Sequence, residues 1–396
     1  MSGFDEEVLD TLRPALGGAV GHLGDGTAVF VRHALEGERV RVRINERTAK
    51  FARGDALEIL SAHPGRVKAP CPHAGLDRCG GCDLQHADEA TQVAWKARVA
   101  SDQLRRLGGI EHEVEVISVG EARGSRSRLR CLVDNEGRLA LRRVRRHDPE
   151  VLTTCWLLDE RAQVAFSTRW PRGAEVEIRA LGEGEPFAVV RLPGRPTEIR
   201  DLEGRVLHPD TVSRVDLDSH VFTVSPDSFW QSHHLAPEVL SDRVVEAWRE
   251  APGARVVDLY SGVGLFAHAL ERAGASEVVT LESSPSAVRD ARENLRGRRG
   301  VKVLARRVEP RTLAPVLREG DVVVCDPPRT GLARGVAQAL GQAGVARVVY
   351  VSCDGATLAR DIRALSQVGY VPRSLESFDL FPLTEHLEFV AVLDRG

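Results

Sequence analysis

The sequence has no apolar run that approaches the roughly 18 residues of a membrane-spanning helix. Its opening, Met-Ser-Gly-Phe-Asp-Glu-Glu, lacks the basic and then apolar pattern of a secretory leader. Both absences predict a cytoplasmic chain with no membrane partner. Cysteine is sparse: seven in 396 residues are too few, and odd in number, for a disulfide scaffold. No internal repeat or long low-complexity tract occurs, which argues against solenoids and fibrous arrays. An excess of charge is missing too, since 54 basic side chains face 57 acidic ones and leave a formal charge of -3. That balance excludes a polycationic nucleic-acid coat but leaves local patches open.

What is present is an average soluble composition, 42% hydrophobic and 28% charged, so the chain folds. At about 150 residues per domain, its length predicts two or three domains, with a monomer expected. Residues 14–62 alternate short β-rich runs with turn signals, which predicts a small antiparallel barrel over residues 1–62. In its run Arg39-Val40-Arg41-Val42-Arg43-Ile44, period-two alternation turns the apolar set inward and the basic set outward. Residues 87–108 lack proline and predict a helix with Val93, Trp95, Val99 and Leu104 as buried positions. A second β-rich unit follows, and the central domain is expected over 63–215, with its helix packed on the last domain. Beyond residue 216, apolar strand-like runs alternate with helical stretches, the pattern of a doubly wound α/β sheet over 216–396.

Four constellations in that last unit carry chemistry. Asp258-Leu259-Tyr260-Ser261-Gly262-Val263-Gly264 runs from a strand into a glycine turn, and Glu282 ends the next strand, where a carboxylate can accept from ribose hydroxyls. A dinucleotide site shares the glycine turn, but the Asp and Glu favour S-adenosylmethionine. Asp326-Pro327-Pro328-Arg329 follows an apolar strand, so Asp326 is presented at a carboxyl edge. Cys353, in Ser352-Cys353-Asp354, stands at another strand exit, as a nucleophile or an inert core thiol. Glu388 lies amid Leu387, Phe389 and Val390, where it is a general base or a surface residue of an edge strand. Upstream, Cys71, Cys79 and Cys82 crowd into twelve residues, a spacing open to zinc or an iron–sulfur cluster. Nine arginines between Arg123 and Arg146 against Asp134 and Glu136 give a local charge of +7, suited to phosphate contact or to a solvated face.

Together these pieces resemble the S-adenosylmethionine-dependent RNA 5-methyluridine methyltransferase family. Its glycine turn, D-P-P-R-x-G-L, S-C-N-P-x-T-L-x-R-D and H-[VL]-E motifs stand here, in order, as DLYSGVGLF, DPPRTGL, SCDGATLARD and HLE. Gln231 in SFWQSHH is similar to the family's F-F-Q-V-N, and the N-terminal unit resembles its TRAM domain, which implies an OB-like, RNA-binding barrel. The resemblance implies that Cys353 adds to carbon 6 of uracil and that Glu388 takes the carbon 5 proton. It implies Gln231, Tyr260 and Glu282 as cofactor contacts, with Asp326 between cofactor and base. It also implies a 4Fe-4S cluster on Cys71, Cys79, Cys82 and Cys155, whereas Cys131, inside the apolar alternation RLRCLVD, reads as a core residue. Barrel and cluster together point to 23S ribosomal RNA ahead of transfer RNA as the partner. An amino-group methyltransferase is disfavoured, because those enzymes place an aromatic after the prolines and use no cysteine. A catalytically dead RNA-binding protein stays open, because Asp354-Gly355 replaces the family's Asn-Pro and brings a negative charge beside the nucleophile.

Overall fold

The computed structural model describes residues 6–10, 12–144, 148–251 and 255–396. The chain begins with strands β1 (Glu6–Leu9), β2 (Arg13–Ala15), β3 (Gly18–His22), β4 (Ala28–Arg32), β5 (Arg39–Arg47) and β6 (Phe51–Ser61). They form one sheet in the order β1-β5-β6-β4-β3-β2. Along β5, Val40, Val42 and Ile44 are buried against Val29, Val31 and Ala52, while Arg39 and Arg41 face out. The expected closed barrel is not found: among the described residues nothing pairs β1 with β2 at the two ends of the sheet. Both end strands are short, and Pro14 at the centre of β2 has no N–H to offer a further partner.

Helix α1 (Glu89–Gln103) starts at Asp88, whose carboxylate accepts from the Thr91 N–H at 2.8 Å. It runs into one wider turn over Leu104–Gly108. Trp95, Val99 and Leu104 are buried as expected, Val93 only partly, and the polar Gln92 and Lys96 are buried as well. The chain then forms β7 (Val116–Ser118), which pairs with the C-terminal sheet.

Strands β8 (Arg128–Val133), β9 (Leu139–Arg142), β10 (Pro149–Val151), β11 (Glu175–Arg179), β12 (Phe187–Arg191) and β13 (Glu198–Asp201) build an antiparallel sheet ordered β10-β9-β8-β11-β12-β13. Cys131 is buried in its core. A hairpin, β14 (Ser213–Leu217) and β15 (His220–Val224), leads to α2 (Ala236–Arg249).

The remaining elements are β16 (Arg255–Leu259), α3 (Leu265–Arg272), β17 (Glu277–Glu282), α4 (Pro285–Asn294), β18 (Val301–Ala305), α5 (Pro310–Leu313), β19 (Val322–Cys325), α6 (Val336–Ala343), β20 (Arg347–Ser352), α7 (Gly355–Ser366), β21 (Tyr370–Asp379) and β22 (Glu388–Arg395). Their sheet runs β18-β17-β16-β19-β20-β22-β21-β7. The strands from β18 through β20 are parallel neighbours, and β22 lies antiparallel between β20 and β21. Apolar clusters cover both faces, as a central parallel sheet requires. The strand order reverses between β16 and β19, which opens a crevice at their carboxyl ends.

Candidate active site

The glycine turn after β16 forms one wall of that crevice. Tyr260 adopts a left-handed φ of 61°, a conformation a bulky side chain rarely takes outside a constrained site. Gly262 and Gly264 follow at φ 54° and 91°. A Cβ at Gly264 would stand 2.8 Å from Leu295, so that glycine serves packing, whereas a Cβ at Gly262 would meet open space. Glu282 closes the turn: its carboxylate accepts from the Gly262 N–H at 3.0 Å and from the Ser283 and Ser284 N–H groups at 2.6 Å each. Beneath it Asp258 is 1% exposed, and among the described residues neither of its oxygens has a hydrogen-bond partner; the buried Tyr260 and Ser261 hydroxyls find none there either. Burial, with Asp326 and Glu282 nearby, pushes Asp258 well above the usual carboxylate range. Unpartnered polar atoms around a turn with open space are what a polar cofactor would satisfy.

The second wall is built by two motifs that hold one another. Asp361 of α7 accepts from the Tyr350 hydroxyl and the Leu332 N–H, each at 2.7 Å. Thr357 donates to the Arg329 carbonyl at 2.9 Å, and Arg360 to the Thr330 carbonyl at 2.7 Å. Gly331 fits under them at φ 78°, where a Cβ would come within 2.4 Å of Arg360, Asp361 and Thr357. The loop carrying Asp326 and Arg329 is thereby fixed against the helix that follows Cys353.

Burial pushes the Cys353 thiol up to about 11; Glu388 adds to the rise, the Arg329 guanidinium opposes it by charge and hydrogen bonding, and Asp326 adds again. Glu388 is 3% exposed, and burial followed by Asp326 raises it well above its usual range against the pull of Arg329. Burial raises Asp326 to about 7, although the Gln231 amide donates to it at 3.3 Å. The structure thus brings Cys353, Glu388, Asp326 and Gln231 together, with Arg329 as their cation. Arg329 was missed as a site residue, although a charge beside two prolines at a strand exit was the available signal. Asp354 has a structural role as well: its carboxylate caps α7, accepting from the Thr357 N–H at 2.7 Å. Gly355 leaves room for Gln103, which a Cβ there would approach to 2.6 Å.

Gln231 is placed from two sides. Asp290 of α4 accepts from Ser225 and Ser228, and Arg179 donates to the carbonyls of the same two serines at 2.8 Å each. Arg128 reaches the Trp230 carbonyl at 2.9 Å, and Trp230 itself is buried.

Cys71, Cys79, Cys82 and Cys155 line one cavity with Arg126, Gln85 and Trp156, so the four cysteines meet as expected. Among the described residues, however, no three His, Cys, Asp or Glu side chains stand in metal-holding geometry. Burial raises the thiols of Cys79 to about 11 and Cys82 to about 12. The arginine patch changes character in the fold. Arg123, Arg128, Arg130, Arg138 and Arg143 pair with Glu160, Glu177, Asp134 and Glu150 among others, and Arg145 and Arg146 lie outside the described residues. Glu160, Glu177 and Glu150, from outside the run, therefore offset part of the +7. No helix among the described residues is long and apolar enough to cross a membrane.

Comparison with known proteins gives the same picture. A TRAM domain model matches residues 17–57, and a tRNA (uracil-5-)-methyltransferase model matches residues 316–396, which contain both Cys353 and Glu388. The crystal structure of Pyrococcus abyssi tRNA (uracil-54, C5)-methyltransferase shares the fold, with a TM-score of 0.74 over 97% of this chain and 99% of that one at 23% identity. The fold, and the segment that carries Cys353 and Glu388, are similar to those of S-adenosylmethionine-dependent RNA uracil-5-methyltransferases. An uncharacterised RNA methyltransferase of Streptomyces coelicolor is 37% identical over 96% of this chain and 90% of its own length, and one of Bifidobacterium longum is 33% identical over 96% and 94%. The chain belongs to their RNA methyltransferase family.

Proposed function

We propose that this enzyme methylates carbon 5 of a uridine in transfer RNA, with Cys353 as nucleophile and Glu388 as base. The match of the uracil-5-methyltransferase model across both residues carries the reading. The same model and the Pyrococcus enzyme favour transfer RNA over the ribosomal RNA expected from barrel and cluster. An enzyme that acts on tRNA matches 97% of this chain, so the N-terminal sheet does not distinguish the two substrates.

S-adenosylmethionine supplies the methyl group when bound, and Asp258, Tyr260, Glu282 and Gln231 are the residues that would hold it. The Cys353 sulfur bonds carbon 6 of the flipped uracil, and the displaced π electrons make carbon 5 the nucleophile that takes the methyl group. Glu388 then removes the carbon 5 proton; the C–H electron pair restores the double bond and expels the thiolate. Its raised affinity for protons suits a base, and Arg329 stabilises both the thiolate and the ionised carboxylate. The four-cysteine cavity offers a donor set that fits a 4Fe-4S cluster, which would tie the 71–82 loop to residue 155. The chain divides at 1–62, 63–215 and 216–396, with β7 of the middle segment added to the sheet of the last.

Labelled methyl transfer to tRNA and ribosomal RNA transcripts, followed by nucleoside analysis, tests the reading. Label in 5-methyluridine of tRNA is expected, and label on an exocyclic amine rejects it. Cys353→Ala is expected to cut turnover at least about 10⁴-fold. Glu388→Gln is expected to methylate once and stay attached to its RNA.

A further inference from the structure

We infer that Gln92 and Lys96 of α1, with the backbone of Asp83 and Leu84, clamp the loop before β22 and so aim the Glu388 carboxylate at the proton it removes. The inference rests on the assignment of Glu388 as the base. Its central observation is Leu383, five residues before Glu388, which holds a left-handed φ of 64°. A non-glycine residue keeps such a conformation only where its surroundings over-determine it, and such strain clusters at functional sites. Here every backbone group of Leu383 is taken. Its N–H donates to Gln92 Oε1 at 2.9 Å, and its carbonyl accepts from the Asp83 N–H at 3.0 Å and the Leu84 N–H at 2.9 Å.

The start of the same loop is held as firmly. Lys96 is fully buried, and its ammonium reaches Asp379 Oδ1 at 2.6 Å and the Phe381 carbonyl at 3.0 Å. Near the end, the Glu385 carboxylate accepts from the Gly17 N–H in the turn between β2 and β3. Three upstream elements therefore grip residues 379–385. A buried ion pair is weak evidence of stabilisation, because desolvating both charges consumes most of the attraction. Expensive contacts on one loop indicate a demand for position. Glu388 creates that demand: among the described residues no hydrogen bond or ion pair holds its carboxylate, so the backbone that leads into it sets its aim.

These are positioning residues, and they act on one step. The carbon 6 attack by Cys353 is anchored separately, by α7 and the Asp361 contacts. Loosening the clamp is therefore expected to slow release of the RNA adduct and spare its formation. The test uses the full chain carrying Gln92→Leu, and the double variant Lys96→Met with Asp379→Leu, which leaves neither charge buried alone. Capture of RNA bearing 5-fluorouridine, which needs no proton removal, is expected to stay within about twofold of the parent. With ordinary uridine RNA and S-adenosylmethionine, the covalently bound fraction at steady state is expected to rise about tenfold as turnover falls by a similar factor. Release at the parent rate in both variants, or loss of 5-fluorouridine capture together with turnover, overturns the clamp. Glu388→Gln run alongside separates the two failures. If it accumulates adduct and the clamp variants do not, the clamp alone is wrong; if it too releases RNA normally, the base assignment falls first.

Discussion

Two groups of buried carboxylates show how differently one chain can treat the same functional group. In the central sheet, Glu177 is 2% exposed and surrounded by Arg128, Arg130 and Arg179, with Arg191 a little further out. Burial alone would raise its pKa, but the guanidiniums of Arg128 and Arg179 outweigh that and hold it at about 2. In the crevice, Asp258, Asp326 and Glu388 are all raised by burial, and Asp326 raises the other two further, while Gln231 gives Asp326 and Arg329 gives Glu388 limited relief. The first group is a finished network that fixes the sheet and, through Arg128 and Arg179, the segment that carries Gln231. The second is left incomplete, as a site is when cofactor and substrate complete it.

Removing Glu177 should produce the largest effect on stability. Glu177→Gln leaves Arg179 and Arg128 without their counter-charge, and chemical denaturation should show a loss of about 3–5 kcal/mol. A loss under about 1 kcal/mol would erase the contrast between the two groups. Asp258→Asn is expected to do the reverse. Ligand-free stability should hold or rise, because no partner is lost, while calorimetry should find S-adenosylmethionine bound about tenfold to a hundredfold more weakly, the worth of one charge-assisted hydrogen bond.

The two groups should also respond to pH with opposite signs. Glu177 has a depressed pKa, so its contribution is present above about pH 4.5 and lost as pH falls toward 2. Asp326 is raised to about 7, so in the folded state it keeps a proton that the unfolded chain has released. Its contribution is complete below about pH 4 and declines as pH rises toward 7. Denaturation of the ligand-free enzyme across this range should show both limbs, and Asp326→Asn should make only the upper one shallower, because Asp258 and Glu388 are raised as well. The smallest expected difference is between ligands. At equal saturation, S-adenosylmethionine should raise the melting temperature about 2 °C further than its demethylated product, since only the sulfonium brings a positive charge to these carboxylates.

Strand runs, the glycine turn, the cysteine quartet and the Cys353 and Glu388 motifs were all legible, because each depends on neighbours close in sequence. What escaped depends on distant partners. Gln92 and Lys96 read as the polar side of α1, and only contacts 291 and 283 residues away bury them. The arginine run read as a free patch because Glu160 and Glu177 lie well downstream of it. Asp354 looked like a handicap to the nucleophile, and its role as a helix cap depends on where α7 starts. The closed barrel failed for a more local reason: β2 has a proline at its centre, and that was already visible.

The placement of β7 bears on how the enzyme is synthesised and dissected. Residues 116–118 form the outermost strand of a sheet whose other seven strands begin at residue 255. During translation α1 and β7 emerge early and wait for β21, so the catalytic unit can close only once nearly the whole chain has left the ribosome. A fragment that starts at residue 216 would present β21 as a bare edge, open to pairing with other copies. A fragment that starts near residue 87 is longer but would carry its own edge cover, and is the one expected to remain soluble.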